Sequence, residues 1–253
     1  MISARIRAMG AAHWLLLYAF VLIGWVVLWL MSLSVDPQGY GAIYGADFLI
    51  SLCTTTPDAS GFFKLFLMWS LMSAAMMLPT ALPAFAAYED LGHSTDIRFP
   101  RLVAGYFAVW LGFSALAAIA QLGLFQMGAI DGFGASLSVW FSASLLLLAG
   151  FYQFSSLKEA CLSKCRMPLT FFMQHWDDGP VRMGLRLGAV CLGCCWALML
   201  LAFVGGTMSL GFMALATVLM MTEKLPDIGK YITAPLGGAL IGSAVLVAAS
   251  GYI

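Results

Sequence analysis

The chain has 253 residues, of which 62% are hydrophobic and only 9% are charged, with 12 basic and 12 acidic side chains. A soluble domain carries about 25% charged residues, so this sequence lacks the polar side chains needed to cover a water-facing surface. The zero net charge and the scarcity of basic residues exclude a nucleic-acid-binding patch, and the composition predicts an all-α, polytopic transmembrane helical bundle.

Apolar runs of bilayer-spanning length predict seven transmembrane helices in a single integral membrane domain over residues 1–253. The first run is about 20 residues long and no small-residue cleavage site follows it, so we interpret it as an uncleaved helix rather than a signal peptide. The predicted spans are 13–33, 62–86, 102–127, 136–156, 184–205, 207–222 and 233–252. Gly205-Gly206 between the fifth and sixth predicts a helical hairpin there.

Loop charges predict the orientation of these spans. Of the 12 Lys and Arg residues, only Lys64 falls on one side of the alternation, and all the others fall on the opposite side. The positive-inside rule makes the basic side cytoplasmic. The N-terminus is therefore expected in the cytoplasm and the C-terminus outside, and the last span carries Gly238 and Gly242 at a spacing that favours close helix packing.

Methionines recur along one face of the second predicted span. Met68, Met72 and Met76 are four residues apart, which places their side chains on the same side of a helix. Thioethers are ligands for soft ions such as Cu(I), and methionine is also an ordinary, flexible filler of apolar cores. The pattern alone is compatible with a metal-binding role and with plain packing.

A second group of candidates follows the fourth span. Cys161 and Cys165 are four residues apart and would share a helix face, and His175 lies in the loop beyond them. Nearby basic side chains would favour the thiolate, which is the metal-binding form. These basic residues are Lys158, Lys164 and Arg166. The alternative is a pair of spectator cysteines beside a basic patch that contacts lipid phosphates.

The fifth span carries the most distinctive pattern, since Cys191, Cys194 and Cys195 occupy offsets 0, 3 and 4. These offsets put three sulfurs on one helix face, which Met199 extends by a turn. Thiolates select Cu(I) and also bind zinc. If the second and fifth spans are neighbours, Met72 and Met76 would meet this cysteine stripe near mid-membrane.

Four further polar residues lie near the predicted cytoplasmic face. Glu223 and Lys224 end the sixth span, either as a snorkelling pair or as a gate. Tyr152 and Gln153 end the fourth span, where tyrosine is ordinarily an interfacial anchor.

Several of these motifs occur together and in order. They are Trp69-x2-Met72-x3-Met76-Met77-Leu78-Pro79, Tyr152-Gln153-x3-Leu157-Lys158-x2-Cys161-Leu162-x2-Cys165-Arg166, Cys191-x-Gly193-Cys194-Cys195-Trp196 and Glu223-Lys224-x-Pro226. The set resembles a bacterial family of predicted metal-binding integral membrane proteins, catalogued as a domain of unknown function. The resemblance covers the second to the sixth span and implies a polytopic protein whose cysteines bind metal. Where the family usually has asparagine and tryptophan, this chain has Ser209 and Phe212.

The leading hypothesis is a protein of the bacterial inner membrane that binds a soft metal, with Cu(I) favoured over zinc. The cysteines of the fifth span would hold the ion, with Met72, Met76 or Met199, and Cys161 and Cys165 would form a second station at the cytoplasmic face. This arrangement suits transport, buffering or delivery to a membrane cuproenzyme, rather than an enzyme in its own right.

Two alternatives remain open at the level of sequence. The same cysteines would serve a membrane thiol–disulfide or metal-dependent oxidoreductase. The chain would otherwise be an accessory subunit of a larger membrane complex that uses sulfur only for packing.

Overall fold

The computed structural model describes residues 12–35, 51–52, 54–91 and 98–251. Within these ranges the chain is an all-α bundle, as predicted, and the one β-type pairing is an isolated bridge between Ile130 and Ser136. The helices are α1 (Ala12–Val35), α2 (Ala59–Leu91), α3 (Phe99–Gln126), α4 (Val139–Gln153), α5 (Ser156–Arg166), α6 (Pro168–Gln174), α7 (Pro180–Leu200), α8 (Ala202–Gly205), α9 (Leu210–Glu223) and α10 (Gly229–Ser250).

Every predicted span coincides with a helix, but not all of these helices are long enough to cross a bilayer. Among the described residues, five apolar stretches have spanning length: α1, α2, α3, α7 with α8, and α10. The fourth predicted span becomes a bent pair, in which α4 and α5 meet at 62°. The sixth, α9, has 14 residues, fewer than the roughly 20 that a complete crossing needs.

Side-chain hydrogen bonds mark the starts of two helices. Ser155 starts α5, because its hydroxyl accepts a hydrogen bond from the Lys158 backbone N–H at 3.1 Å. Asp58 precedes α2, and its carboxylate accepts hydrogen bonds from the Gly61 N–H (2.8 Å) and from the hydroxyls of Thr56 (2.6 Å) and Ser60 (2.7 Å). The turn at Ser155 matters most for function, because it directs α5 back against α7.

Helices α3 and α7 approach so closely that glycine is required between them. A Cβ added at Gly184 would lie 2.2 Å from the Leu102 carbonyl oxygen, and one at Gly188 would lie 2.8 Å from that of Tyr106. The sequence predicted close helix packing at a different place, Gly238 and Gly242. An added Cβ at either glycine would meet no described atom within 4 Å. That prediction was wrong because residue spacing does not specify which helix face meets a neighbour.

The contacts of α3 also fix the relative direction of α2 and α7. Tyr106 contacts Met77 and Ser114 contacts Ser73, so α2 and α3 run in opposite directions. Gly184 lies against Leu102, and Gly188, one turn further along α7, lies against Tyr106, one turn further along α3. Helices α3 and α7 are therefore parallel. Helices α2 and α7 are therefore antiparallel, with α3 packed against both.

Two prolines interrupt the backbone hydrogen bonding of α2. Pro79 has no N–H, which leaves the Ala75 carbonyl without its helical donor, and the Trp25 indole N–H of α1 bonds that carbonyl at 3.0 Å. Pro83 likewise has no N–H, so the carbonyl of Pro79 also lacks its helical donor. This weakened stretch of α2 faces the region in which the functional side chains meet.

Candidate metal centre

Three sulfurs converge on the buried face of α7. The Sγ atoms of Cys191, Cys194 and Cys195 all lie within 4.8 Å of one another, and each residue is at most 2% exposed. Cys194 Sγ is 3.3 Å from Cys195 Sγ, and the Cys194 thiol donates to the Cys191 carbonyl at 3.1 Å. In the described part of the chain, this is the one grouping of three potential metal-binding Cys, His or acidic residues.

A fourth sulfur comes from α5. Cys165 Sγ lies 3.9 Å from Cys194 Sγ, so the two helices contribute to a single group, which we call the cysteine cluster (Cys165, Cys191, Cys194 and Cys195). Cys161 also faces α7, where its Sγ would lie only 2.5 Å from a Cβ added at Gly193. Of the predicted second station, Cys165 thus lies against the first group, because the bend at Ser155 lays α5 along α7, while Cys161 lies against Gly193.

Three polar side chains surround Cys191. The Lys224 ammonium of α9 donates to Cys191 Sγ at 3.0 Å and to the Thr80 hydroxyl of α2 at 2.6 Å. The Tyr106 hydroxyl donates to the Met77 carbonyl at 3.0 Å and lies 3.1 Å from the same sulfur. An ammonium beside a sulfur stabilises the thiolate, the form that binds metals.

Glu223 and Lys224 do not pair with each other, although they are adjacent in sequence. Glu223 forms a buried ion pair with Lys158 of α5 at 2.9 Å, while Lys224 reaches Cys191. The burial of Lys224 contradicts the snorkelling interpretation, which requires its ammonium to reach water. Arg166 strengthens the attachment of α5 by donating to the Glu223 backbone carbonyl at 2.9 Å.

Two basic side chains that were expected to act on the α5 thiols are therefore engaged elsewhere. Lys158 is paired with Glu223, and Arg166 also contacts Glu159 at 3.2 Å and Thr233 at 3.3 Å. Among the described residues, the basic side chain that donates a hydrogen bond to a cluster sulfur is that of Lys224.

The predicted methionine ligands share the depth of the cluster without a hydrogen bond to it among the described residues. Met77 is tied to the level of Cys191 through Tyr106. Since α2 and α7 are antiparallel and each residue advances about 1.5 Å, Met76 and Met72 fall at levels between Cys191 and Met199. The three predicted ligands, Met72, Met76 and Met199, are all buried.

The other polar candidates are placed around the cluster rather than in it. The Tyr152 hydroxyl donates to the Gly193 carbonyl at 2.6 Å, which fixes α4 to the cysteine-bearing turn of α7. Gln153 is buried, and its amide has no hydrogen-bond partner among the described residues. His175 contacts the Phe171 carbonyl at 2.8 Å, so the structure does not bring it to the sulfurs. Cys53, the sixth cysteine of the sequence, lies outside the described residues.

The dimensions of the cluster suit a metal ion. A metal–sulfur bond of about 2.3 Å requires sulfur–sulfur separations of about 3.8 Å in a tetrahedral site and about 4.0 Å in a trigonal one. The Cys165–Cys194 separation of 3.9 Å lies in this range, the 3.3 Å Cys194–Cys195 pair must open slightly, and the three sulfurs of α7 lie within 4.8 Å of one another. Side-chain rotations would have to bring the sulfurs to equal separations to complete a thiolate site.

A family profile described as PpoB2, copper chaperone, matches residues 66–247. This range covers more than half of the chain and contains the whole cysteine cluster. The chain belongs to the PpoB2 copper chaperone family. Membership supports the metal-binding family that the sequence motifs indicate, and it supports a role in handling copper. No curated protein and no solved structure matches the chain.

Sequence reasoning missed the polar partners of Cys191 in this chain. Tyr106 and Thr80 were not among the predicted residues, and Lys224 was predicted as part of a snorkelling pair or a gate, without Cys191 as its partner. A usable signal existed, since polar side chains within apolar spans need a partner in the bundle. Only packing shows that this partner is a cysteine.

Proposed function

We propose that this chain is a copper chaperone of the bacterial inner membrane, which holds Cu(I) in the cysteine cluster and delivers it to a membrane cuproenzyme. The observation that supports the proposal most directly is the convergence of four sulfurs from two helices, with three of them fully enclosed. Thiolates are soft ligands that select Cu(I). Zinc is the competing ion, because it also accepts four thiolates.

Delivery requires that the ion leave a site it binds tightly. Exchange among similar sulfur ligands lowers the barrier, since each bond to copper is replaced before the ion is exposed to lipid. We propose Met76 and Met199 as secondary ligands, and Met72 as the next thioether along α2. Their levels beside the cluster would let a thioether replace a thiolate on copper before the ion leaves the site.

Metal analysis tests the proposal. The protein is purified in mild detergent, exposed to Cu(I) under reducing conditions and analysed for bound metal, beside a Cys191→Ser/Cys194→Ser/Cys195→Ser variant. Near-stoichiometric copper in the wild type and its loss in the variant are expected. Cys161→Ser is the matched control and should retain copper, because Cys161 contacts Gly193 rather than the cluster. Absence of copper from the wild type would contradict the proposal, and stoichiometric zinc would identify the other ion.

A thiol–disulfide oxidoreductase is the second candidate function. The 3.9 Å separation between Cys165 Sγ and Cys194 Sγ brings this pair, one cysteine from α5 and one from α7, close enough that modest movement would allow a disulfide. This function requires a reversible disulfide in metal-free protein. Mass spectrometry after treatment with oxidised and reduced glutathione would detect it, and a cluster that stays fully reduced would exclude it.

A further inference from the structure

Two cavities that share lining residues lie on the side of the cysteine cluster that faces Lys224, the inner one bordered by α2, α3, α5 and α7 and the outer one between α2 and α9. The inner cavity has a volume of about 20 Å³ and touches Cys191, Cys165 and Tyr106. The outer cavity, of about 250 Å³, lies against Met221 and Val218. Both cavities are lined by the same three residues, Thr80, Pro83 and Lys224.

The inner cavity has the size of an ion-binding space, and it is lined by polar and cysteine side chains together with four apolar residues (Ala81, Pro83, Ala84 and Leu187). A water molecule needs roughly 10–15 Å³ of such space, so the inner cavity accepts about one water-sized particle. Its lining includes two cluster sulfurs, the hydroxyls of Thr80 and Tyr106, and Lys224. A metal ion that occupied this space would lie directly beside Cys191.

Lys224 stands where the two cavities meet. Its ammonium is held between the Thr80 hydroxyl at 2.6 Å and Cys191 Sγ at 3.0 Å, so the side chain extends across the boundary. A particle that moves from the outer to the inner cavity must therefore displace Lys224 from Thr80, from Cys191 or from both.

The outer cavity offers soft and polar contacts at the end of the bundle that the loop charges assign to the cytoplasm. Met221 supplies a thioether, and Thr222 supplies a hydroxyl. Pro79 lines the same cavity, and its carbonyl lacks a helical donor because Pro83 has no N–H. Val218 is 54% exposed at the margin, so the cavity opens to the surroundings of the bundle.

We propose that Cu(I) reaches and leaves the cysteine cluster through the α2/α9 cavity, where Met221 is a transient ligand and Lys224 closes the inner end. The inference rests on the proposed function, because it assumes that the cluster holds copper. It adds a route, a metal ligand outside the cluster and a side chain that controls the final step. No electron transfer is involved, since Cu(I) only exchanges thioether for thiolate ligands.

The first test blocks the route without touching the cluster. Val218→Trp places the largest side chain at the cavity margin, and Leu215→Trp is the matched control, because Leu215 is similarly exposed on α9 at 57% but does not line the cavity. Each purified protein is loaded with Cu(I), and transfer to a water-soluble Cu(I) chelator is followed by absorbance. Val218→Trp should bind the same amount of copper and release it several-fold more slowly, while Leu215→Trp should match the wild type.

A second measurement probes the route without metal. Cys191 in metal-free protein is labelled with a small methanethiosulfonate, and modification at this residue is quantified by mass spectrometry. Val218→Trp should slow labelling of Cys191, and Leu215→Trp should not. Equal labelling and equal copper release in both variants would overturn the proposed route. If Val218→Trp binds copper stoichiometrically but releases it at the wild-type rate, the route alone is overturned. If the wild type does not bind copper, the proposed function is overturned.

Met221→Leu tests the ligand role separately. Leucine preserves the apolar volume but removes the thioether, so copper release should slow while labelling of Cys191 stays at the wild-type rate. An unchanged rate of copper release would show that Met221 only lines the cavity. The two readouts thus distinguish a blocked passage from a lost ligand.

Discussion

The ion pair between Lys158 and Glu223 attaches α5, and with it Cys165, to α9. Both side chains are almost fully enclosed, with exposures of 1% and 2%, and their charged atoms are 2.9 Å apart. Lys158→Met leaves the Glu223 carboxylate buried without its cation. Removing one partner of a buried pair costs about 3–5 kcal/mol of unfolding free energy, because the remaining charge has lost both water and its counterion.

The matched control is an exposed pair in the same protein. Arg186 and Asp178 lie 3.1 Å apart, with exposures of 51% and 24%, so Arg186→Gln should cost only about 0.2–1 kcal/mol. Thermal unfolding in detergent should therefore separate the two variants clearly. The double variant Lys158→Met/Glu223→Gln should recover much of the loss, because no buried charge remains unpaired.

A copper titration extends this test to the metal site. Lys158→Met should also weaken copper binding, since Cys165 is held against the cluster by the helix that Lys158 attaches. Two results would refute the reasoning: equal stability losses in Lys158→Met and Arg186→Gln, or a double variant less stable than either single variant of the pair.

Three other outcomes are expected. In a competitive chelator titration, Cys165→Ser should lower Cu(I) affinity by more than the ~10–100-fold that loss of an outer-shell group costs. Cys161→Ser should not lower the affinity to that extent. Equal affinities of the two variants would show that Cys165 is not a ligand. Gly184→Ala should lower unfolding stability by about 1–3 kcal/mol or more, whereas Gly238→Ala, with open space around it, should be neutral or slightly stabilising. Hydrogen bonds lower the pKa of Asp58 from 3.8 to about 2, so its stabilising contribution is complete above pH 4 and is lost as the pH falls through 2. Asp58→Asn should flatten that part of the stability–pH curve, and an unchanged curve would contradict the assignment.

The parts of the structure that depend on local sequence could be predicted. Long apolar runs gave the helical segments, because burial in lipid requires continuous stretches of apolar residues. Offsets of 0, 3 and 4 brought Cys191, Cys194 and Cys195 to one face, because helical geometry alone fixes that relation.

The remaining features depend on which helices become neighbours, and a single sequence does not specify this. Cys165 joins the cluster only because the chain bends by 62° after α4. Glu223 and Lys224 appeared to be a pair, yet consecutive residues on a helix do not face each other, so they bond to different helices. Tyr106 gained significance only once α3 was seen to lie between α2 and α7.

The division of the cysteine cluster between two helices has a thermodynamic consequence. An ion bound by Cys165 and by the cysteines of α7 acts as a cross-link that exists only in the folded state. Such binding stabilises the fold by about 4.1 kcal/mol when the free ion is at 1,000 times its dissociation constant. Loaded and empty protein should thus differ in the rigidity of α5, which would give a receiving protein a physical property by which to distinguish a full donor from an empty one.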